Sequence, residues 1–350
     1  MIENNKAQFI SVIIPCRNEE KYIAQCLDSI LNTDYPSERI EILVIDGMSE
    51  DGTRNIVNDF LHKNSDIVKL LDNEKKILAS AWNIGIRMAR GDIILTLNAH
   101  GVFPKEYITL CVNYLSQTDA DYVGGRIITL PQDDTYLGNS IAVVLSSRFG
   151  VGWSNFRVGV KTPIWTDTAA FGGYRKSVFE RVGLFNESLV RSQDMDFHLR
   201  MKEAGCKILL VPDMVCRYYI RSKLGIFLRD YLSNGFWAVY PLKFNPKAIY
   251  WRHLIPFFFV YSVAFFGILS FSFSAFVFKL ALWAIIGLYL VFNIFFSIIT
   301  CIQRKCLRYL PVLPIVYTLL HFCYGMGSLW GMAVLIFSKG IRKSHTVKYA

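Results

Sequence analysis

No aspartate or glutamate follows Asp230: the 120 residues from Tyr231 to Ala350 carry 11 Lys/Arg and no acid. Residues 1–230 hold 27 basic and 28 acidic side chains, so the formal charge of +10 on the 350-residue chain belongs entirely to its last third. A basic chain ordinarily points to nucleic acid or an anionic membrane. The near-neutral first 230 residues exclude a soluble nucleic-acid-binding protein, and a hydrophobic content of 53% excludes disorder. Eight cysteines form no CxxC pair, which argues for reduced thiols rather than a zinc site or a disulfide framework. A dinucleotide-binding dehydrogenase would place GxGxxG after the first strand, where PCRNEE stands instead. MIENNKAQ has no apolar core, so no signal peptide is expected and the N-terminal part should stay in the cytoplasm.

Three stretches, 253–278, 280–303 and 309–338, contain no Asp, Glu, Lys or Arg. Each exceeds the about 20 residues that a spanning helix needs. Runs such as IPFFFVYSVAFFGILSF and LALWAIIGLYLVFNIFFSII have no polar face, which suits a bilayer rather than a soluble core. Arg304, Lys305 and Arg308 follow the second stretch, and Lys339, Arg342, Lys343 and Lys348 follow the third. The positive-inside rule places both clusters in the cytoplasm. One span out and one span back satisfies the first cluster. For the third stretch, either the tail lies outside against the rule, or Pro311 and Pro314 break it into an interfacial or re-entrant piece. Ahead of the spans, 217–252 is dense in aromatic and basic residues, and LGIFLRDYLSNGFWAVYPLKF reads as an interfacial, amphipathic linker that meets anionic lipid. The expected division is a catalytic domain at 1–216, this linker, a transmembrane region at 253–338 and a basic tail at 339–350.

In the first 230 residues short apolar runs alternate with amphipathic ones. Strands are expected at 9–15, 40–46, 67–71, 92–98 and 122–128, and helices near 19–31, 53–61, 79–90 and 104–116. That alternation specifies an α/β fold with a mostly parallel sheet covered on both faces. Ligands bind such sheets at the carboxyl ends of the strands. The unusual residues lie there: Pro15-Cys16-Arg17-Asn18-Glu19, Asp46-Gly47-Met48-Ser49 and Asn98-Ala99-His100.

SVIIPCRNEEKYI, VIDGMSEDGT and the later SQDMDFHLRMKEAG resemble, in order, the signatures of family-two glycosyltransferases with the GT-A fold, over about residues 9–221. The basic aromatic linker, the apolar segments and HFCYGMGSLWGM resemble membrane-bound bacterial exopolysaccharide transferases of the succinoglycan-biosynthesis type. The resemblance implies a GT-A nucleotide-diphospho-sugar transferase domain with a C-terminal helical transmembrane region. It also implies a multi-pass protein of the bacterial cytoplasmic membrane with its catalytic domain in the cytoplasm.

Transfer from a nucleotide sugar needs a nucleoside pocket, positive charge for the leaving diphosphate and a base for the acceptor hydroxyl. The resemblance puts Glu19 and Asp46 on the nucleoside, although Asp46 also suits an Asx-turn before Gly47. Asp51 reads as a turn or helix cap ahead of Thr53. The family carries Asp-x-Asp after its fourth strand, its last carboxylate on a divalent metal; here the positions read Asn98-Ala99-His100. Three readings follow: His100 binds Mn²⁺ (an oxygen ligand would suit Mg²⁺ better), His100 meets the phosphate directly, or the site is impaired. Asn98 is a hydrogen-bonding group without charge, and Asn83 is a candidate for the sugar or a phosphate. By position Asp194 is the catalytic base, with helix capping as the alternative, while Asp196 and Arg200 read as structural. Gly172-Gly173-Tyr174-Arg175 is expected to face sugar and acceptor, and 150–168 to form a mobile acceptor-side loop. Arg217 and Arg221 are candidates for a lipid diphosphate or for interfacial anchoring.

The implied activity is inverting, non-processive transfer from a nucleotide sugar, a UDP-sugar above others, to a polyprenyl-diphosphate-linked saccharide. The nearest rival is a polyprenyl-phosphate sugar synthase. A processive synthase would carry Gln-x-x-Arg-Trp, which is absent from the sequence, and a catalytically silent membrane-associated binding protein is the rival from another class.

Overall fold

The computed structural model describes residues 8–248, 253–273 and 275–337. The basic tail expected at 339–350 and the end of the linker at 249–252 lie outside the described residues. The chain forms two compact units: Met1–Ile128 with Gly159–Tyr219, and Thr129–Val158 with Ile220–Ala350.

The first unit is built around a sheet whose parallel half contains β1 (Ile10–Cys16), β2 (Ile40–Asp46), β3 (Val68–Asp72) and β4 (Ile93–Thr96), in the order β3-β2-β1-β4. Every residue of β1 and β2 is buried, as a strand covered on both faces requires. The helices α1 (Ile23–Leu31), α2 (Thr53–Lys63), α3 (Leu78–Met88) and α4 (Tyr107–Gln117) alternate with these strands. In α1 the buried residues Ile23, Cys26, Leu27 and Ile30 fall at helical spacing, so a single stripe faces the core. A carboxylate is buried in this sheet. Glu41 accepts from Ser11 Oγ at 2.6 Å, the Arg90 amide at 2.7 Å and Arg90 Nε at 2.9 Å. Burial would raise its pKa, but these donors hold it below the ordinary carboxylate value.

Beyond β4 the sheet departs from the expected parallel order. After the short β5 (Gly101–Val102) and β6 (Tyr122–Pro131), β8 (Ala170–Arg175) runs antiparallel to both β4 and β6. The long β9 (Ile208–Ile220) takes β5 and the short β7 (Ile164–Trp165) as antiparallel partners. The sheet is therefore mixed, with β8 and β9 running against the strands beside them. Gly172 and Gly173 lie within β8. A Cβ at Gly172 would stand 2.1 Å from Val123 O, and one at Gly173 would stand 2.6 Å from Cys111 Sγ of α4. Their missing side chains make room for protein, not for the sugar and acceptor expected there. Helices α8 (Ser177–Val182) and α9 (Gln193–Glu203) complete the unit.

The second unit joins α5 (Tyr136–Val144), α6 (Arg148–Val151) and α7 (Asn155–Val158) to α10 (Leu224–Val239), α11 (Leu254–Phe273), α12 (Phe276–Arg304) and α13 (Leu313–Phe337). The sequence placed 129–158 within the catalytic domain. Hydrogen bonds instead bring it into this unit: Tyr317 donates to Ser147 Oγ at 2.7 Å, Arg304 to Ser146 O at 2.6 Å, and His321 Nε2 lies 2.8 Å from Phe149 O. The stretch 150–168 carries α7 and β7 where a loop without regular structure was expected.

Helices α11, α12 and α13 are each long and apolar enough to cross a membrane. Pro311 precedes α13 and Pro314 sits in its first turn, where a missing N–H costs little, so the helix is unbroken. Helix α10 packs against α13 through backbone: a Cβ at Gly235 would stand 1.9 Å from Tyr324 O, and one at Gly327 would stand 1.9 Å from Leu232 O. Small residues allow such close approach where apolar burial from water cannot drive helices together. Gly235→Val should therefore destabilise the detergent-solubilised protein by about 1–3 kcal/mol. Gly225→Ala, whose Cβ meets nothing within 4 Å, should not. Equal thermal midpoints for the two variants would refute this packing.

Candidate active site

The register Cys16↔Asp46 and Asp46↔Asp72 sets the carboxyl ends of β1, β2 and β3 side by side. The loops beyond are laced together. Asn18, in the left-handed region at φ 55°, donates its amide to Ser49 Oγ at 2.9 Å and accepts from the Glu50 amide at 2.9 Å. The Glu19 amide donates to Thr53 Oγ1 at 2.8 Å. Asp51 accepts from the Thr53 amide and hydroxyl at 3.0 and 2.6 Å, the turn-and-cap role expected of it.

Asp46 is fully buried. Its carboxylate accepts from Ser49 Oγ at 2.5 Å, the Ser49 amide at 3.0 Å and Arg54 Nη1 at 2.7 Å; Arg54 also bridges to Asp72 at 2.7 Å. This is the Asx-turn that the sequence offered as the alternative. A nucleoside reaches Asp46 only where Ser49 or Arg54 gives way. Asn83 is also corrected. It is 2% exposed, both hydrogens of its amide go to Phe185 O at 2.9 Å and Glu187 Oε1 at 2.8 Å, and its oxygen accepts from the Phe185 amide at 2.9 Å. With both donors spent, Asn83 ties α3 to the loop before α9 rather than binding a sugar or phosphate.

Glu19 and His100 meet. His100 Nδ1 lies 3.1 Å from Glu19 Oε1, and the imidazole packs on the Tyr218 ring at 4.8 Å between centroids. The antiparallel pair Gly101↔Tyr218 and the bond from the Tyr219 amide to His100 O at 3.1 Å bring β9 to this position. Burial alone would lower the His100 pKa, but Tyr218 and the Glu19 carboxylate raise it to about 9. The ring's share of stability is complete below the unfolded value of 6.5 and disappears as pH rises through about 9. The half-buried Asn98 supports the bend through its carbonyl, which accepts from the Gly101 amide at 3.0 Å.

Asn98 brings no charge, His100 Nδ1 pairs with Glu19 and leaves Nε2 as the nitrogen that could meet a metal, and among the described residues no three His, Cys, Asp or Glu side chains converge as metal ligands. The expectation that His100 ligates Mn²⁺ or Mg²⁺ therefore rests on one candidate ligand, His100 itself.

Asp194 stands exposed in the first turn of α9, which begins at Gln193 directly after Ser192 in the left-handed region at φ 60°. Among the described residues its Oδ1 accepts only the Met195 amide, at 2.9 Å. Asp196 is buried against Arg200 at 3.0 Å, and Arg200 also donates to Val182 O and Leu184 O at 2.9 Å, which makes both structural. A buried polar network, invisible in the sequence, lies within electrostatic reach of Asp194. His198 bonds Thr168 Oγ1 and Tyr174 OH, each at 3.0 Å, and Tyr122 OH accepts from the Gly172 amide at 2.9 Å. Burial, and to a lesser degree the Asp194 charge, push the Tyr122 and Tyr174 phenols up. Burial outweighs Asp194 at His198 and lowers its pKa to about 4. Gln193, beside the carboxylate, has a buried Oε1 without a partner among the described residues. Arg217 and Arg221 are both exposed.

The mixed sheet, the loops at the carboxyl ends of its parallel strands and the exposed acid on α9 define an α/β fold of the GT-A type, and comparison with known proteins agrees. The family model described as "Glycosyl transferase family 2" matches residues 11–183. The dolichyl N-acetyl-α-D-glucosaminyl phosphate 3-β-D-2,3-diacetamido-2,3-dideoxy-β-D-glucuronosyltransferase of Methanococcus voltae is 32% identical over 234 residues, 65% of this chain and 72% of that one. The succinoglycan biosynthesis protein ExoA of Rhizobium meliloti is 27% identical over 226 residues, 64% and 67% of the two chains. Among solved structures, the mannosyltransferase PcManGT of Pyrobaculum calidifontis, in complex with GDP-Man and Mn²⁺, superposes with a TM-score of 0.58 at 18% identity, over 96% of this chain and 89% of that one. The chain belongs to glycosyltransferase family 2: it is a glycosyltransferase with a GT-A-like α/β fold and long apolar C-terminal helices.

His198 generates a pH prediction. The unfolded chain protonates it near 6.5 and the folded chain near 4, so its contribution is complete above about pH 6.5 and is lost as pH falls toward 4. Denaturation curves for the wild type should weaken between about pH 7 and pH 5 more steeply than those for His198→Gln. Parallel slopes would count against a buried neutral imidazole.

Proposed function

We propose that the protein transfers a sugar from a nucleotide-sugar donor, a UDP-sugar, to a lipid-linked saccharide at the cytoplasmic face of the cytoplasmic membrane, with inversion and without processivity. The acceptor class is a polyprenyl-diphosphate-linked saccharide. Two relatives point the same way in their names, one acting on a dolichyl phosphate sugar and one in succinoglycan biosynthesis. The observation that carries the reading is Asp194, an exposed carboxylate in the first turn of α9 that accepts the Met195 amide, among the described residues, and leaves its other oxygen available.

The chemistry follows from these groups. Asp194 takes the acceptor hydroxyl's proton as the oxygen attacks the anomeric carbon from the face opposite the nucleoside diphosphate, and a single displacement inverts the configuration. Preorganised positive charge at the leaving oxygen is what such a step needs most. The His100 imidazolium, oriented by Glu19 and Tyr218, supplies that charge directly to the diphosphate. Asn98 donates a neutral hydrogen bond beside it. Glu19 and the Asp46–Ser49–Arg54 group shape the nucleoside end, where entry of the ribose exchanges Ser49 for a ligand hydroxyl.

Asp194→Asn should lower kcat by about 10²–10⁴-fold with donor binding retained. Activity within a few-fold of wild type would remove Asp194 from the chemistry. His100→Ala should raise the donor KM and lower kcat/KM by about 100-fold, and the wild type should keep its activity in EDTA. Loss in EDTA with recovery in Mn²⁺ would return His100 to metal binding. Bare polyprenyl phosphate and a lipid-linked saccharide, assayed in parallel, distinguish a synthase from the proposed transferase.

A further inference from the structure

The three apolar helices conflict with the charges that flank them. Were all three to cross the bilayer, Lys339, Arg342, Lys343 and Lys348 would lie on the side opposite Arg304, Lys305 and Arg308, against the positive-inside rule. Packing within the second unit removes the conflict. Among the described residues the contacts of α13 with the α11–α12 hairpin fall on the first turns of α11 and on the half of α12 from Tyr289 onward, away from the turn that joins the two helices. On α11 the partners are His253, whose Nδ1 lies 2.6 Å from Tyr324 OH, and Pro256 and Val260, which approach Gly325 so closely that a Cβ there would stand 2.4 and 2.5 Å from them. On α12 they are Tyr289, Asn293 and Thr300, bonded to His321, Thr318 and Tyr317 at 3.1, 2.9 and 3.1 Å.

Those pairs also give the direction of α13. From Thr300 back to Tyr289 is a rise of about 16 Å along α12, yet the partners on α13 lie between Pro314 and His321, about 10 Å, and do not follow that order, since Asn293 bonds Pro314 O and Thr318 while Thr300 bonds Tyr317. Antiparallel helices lying side by side advance together, so these two axes are inclined to one another. The rest of α13 is occupied by α10, with Gly235 against Tyr324 and Leu232 against Gly327. Exposure tells the same story. On α13 the strongly exposed side chains Ile315, Phe322, Met326, Trp330 and Phe337 lie within about a third of the helix circumference. Along the distal hairpin, Ile268, Phe271, Phe276, Leu280 and Trp283 are exposed around the helices.

We propose that α11 and α12 alone cross the bilayer, and that α13, paired with α10, lies in the plane of its cytoplasmic interface. The 20 residues of α11 give about 30 Å, one hydrocarbon thickness. The stripe from Ile315 to Phe337 faces the boundary between headgroups and acyl chains, with Trp330 at the depth that indole favours. Arg304, Lys305 and Arg308 lie on that same side, against the anionic leaflet, and none of them makes an ion pair among the described residues. The chain beyond α13 then remains cytoplasmic, and both basic clusters obey one rule. This orientation does not depend on the transfer chemistry.

Topology reporters on the full-length protein, expressed in a Gram-negative host, test it. Green fluorescent protein fused after Ala350 should fluoresce, and alkaline phosphatase at the same point should be inactive. Active phosphatase with dark green fluorescent protein would show that α13 crosses, and would overturn the proposal. The second arm uses Ala275→Cys, between α11 and α12, in a background with Cys306 and Cys323 changed to Ser. A membrane-impermeant maleimide should label it in intact cells. Labelling only after lysis would show that the hairpin does not cross, and would equally overturn the proposal.

Discussion

The parallel register of β1 between β2 and β4 is the constraint on which the catalytic unit depends. Parallel strands end together, so the loops after Cys16, Asp46 and Thr96 emerge on one edge and must be satisfied there. The opposite edge is pinned by Glu41, whose carboxylate joins β1, β2 and the turn at Arg90. A slip of one residue would leave that carboxylate buried without its donors, at a cost of several kcal/mol. The buried acid far from the chemistry thus fixes where the chemistry occurs.

At the carboxyl edge, polar side chains bind one another before any ligand arrives. Asp46 holds Ser49 and Arg54, Glu19 holds His100, and His198 holds Tyr174 and Thr168. Groups with fixed partners are preorganised, and preorganisation is what makes a dipole or charge effective in a transition state. Asp194 differs from all of them, being exposed and, among the described residues, bonded only to the next amide.

The sequence made β1 through β4 and α1 through α4 legible to within a few residues, because alternating apolar runs and single buried stripes have no other stable reading. Motifs singled out the first two loops, which the structure laces together, and Asp194, which it leaves exposed on α9. Asn83 was misplaced because an asparagine that serves the backbone looks the same in one dimension as one that serves a ligand. Asp46 carried both readings from the start, and only its burial separates them. β8 and β9 gave little signal: two glycines interrupt the first, and Pro212 falls within the second. The pairing of Glu19 with His100 joins residues 81 positions apart through a strand that was itself not foreseen.

The two units also interleave along the chain. Residues 129–158 sit between two parts of the first unit in sequence, yet their hydrogen-bond partners Arg304, Tyr317 and His321 are made more than 150 residues later. During synthesis the Ser146–Phe149 turn therefore waits, bonded to water, until the last helices have left the ribosome. Neither unit completes itself from the N-terminus alone, and the membrane helices act as the closing step in the folding of a segment made long before them.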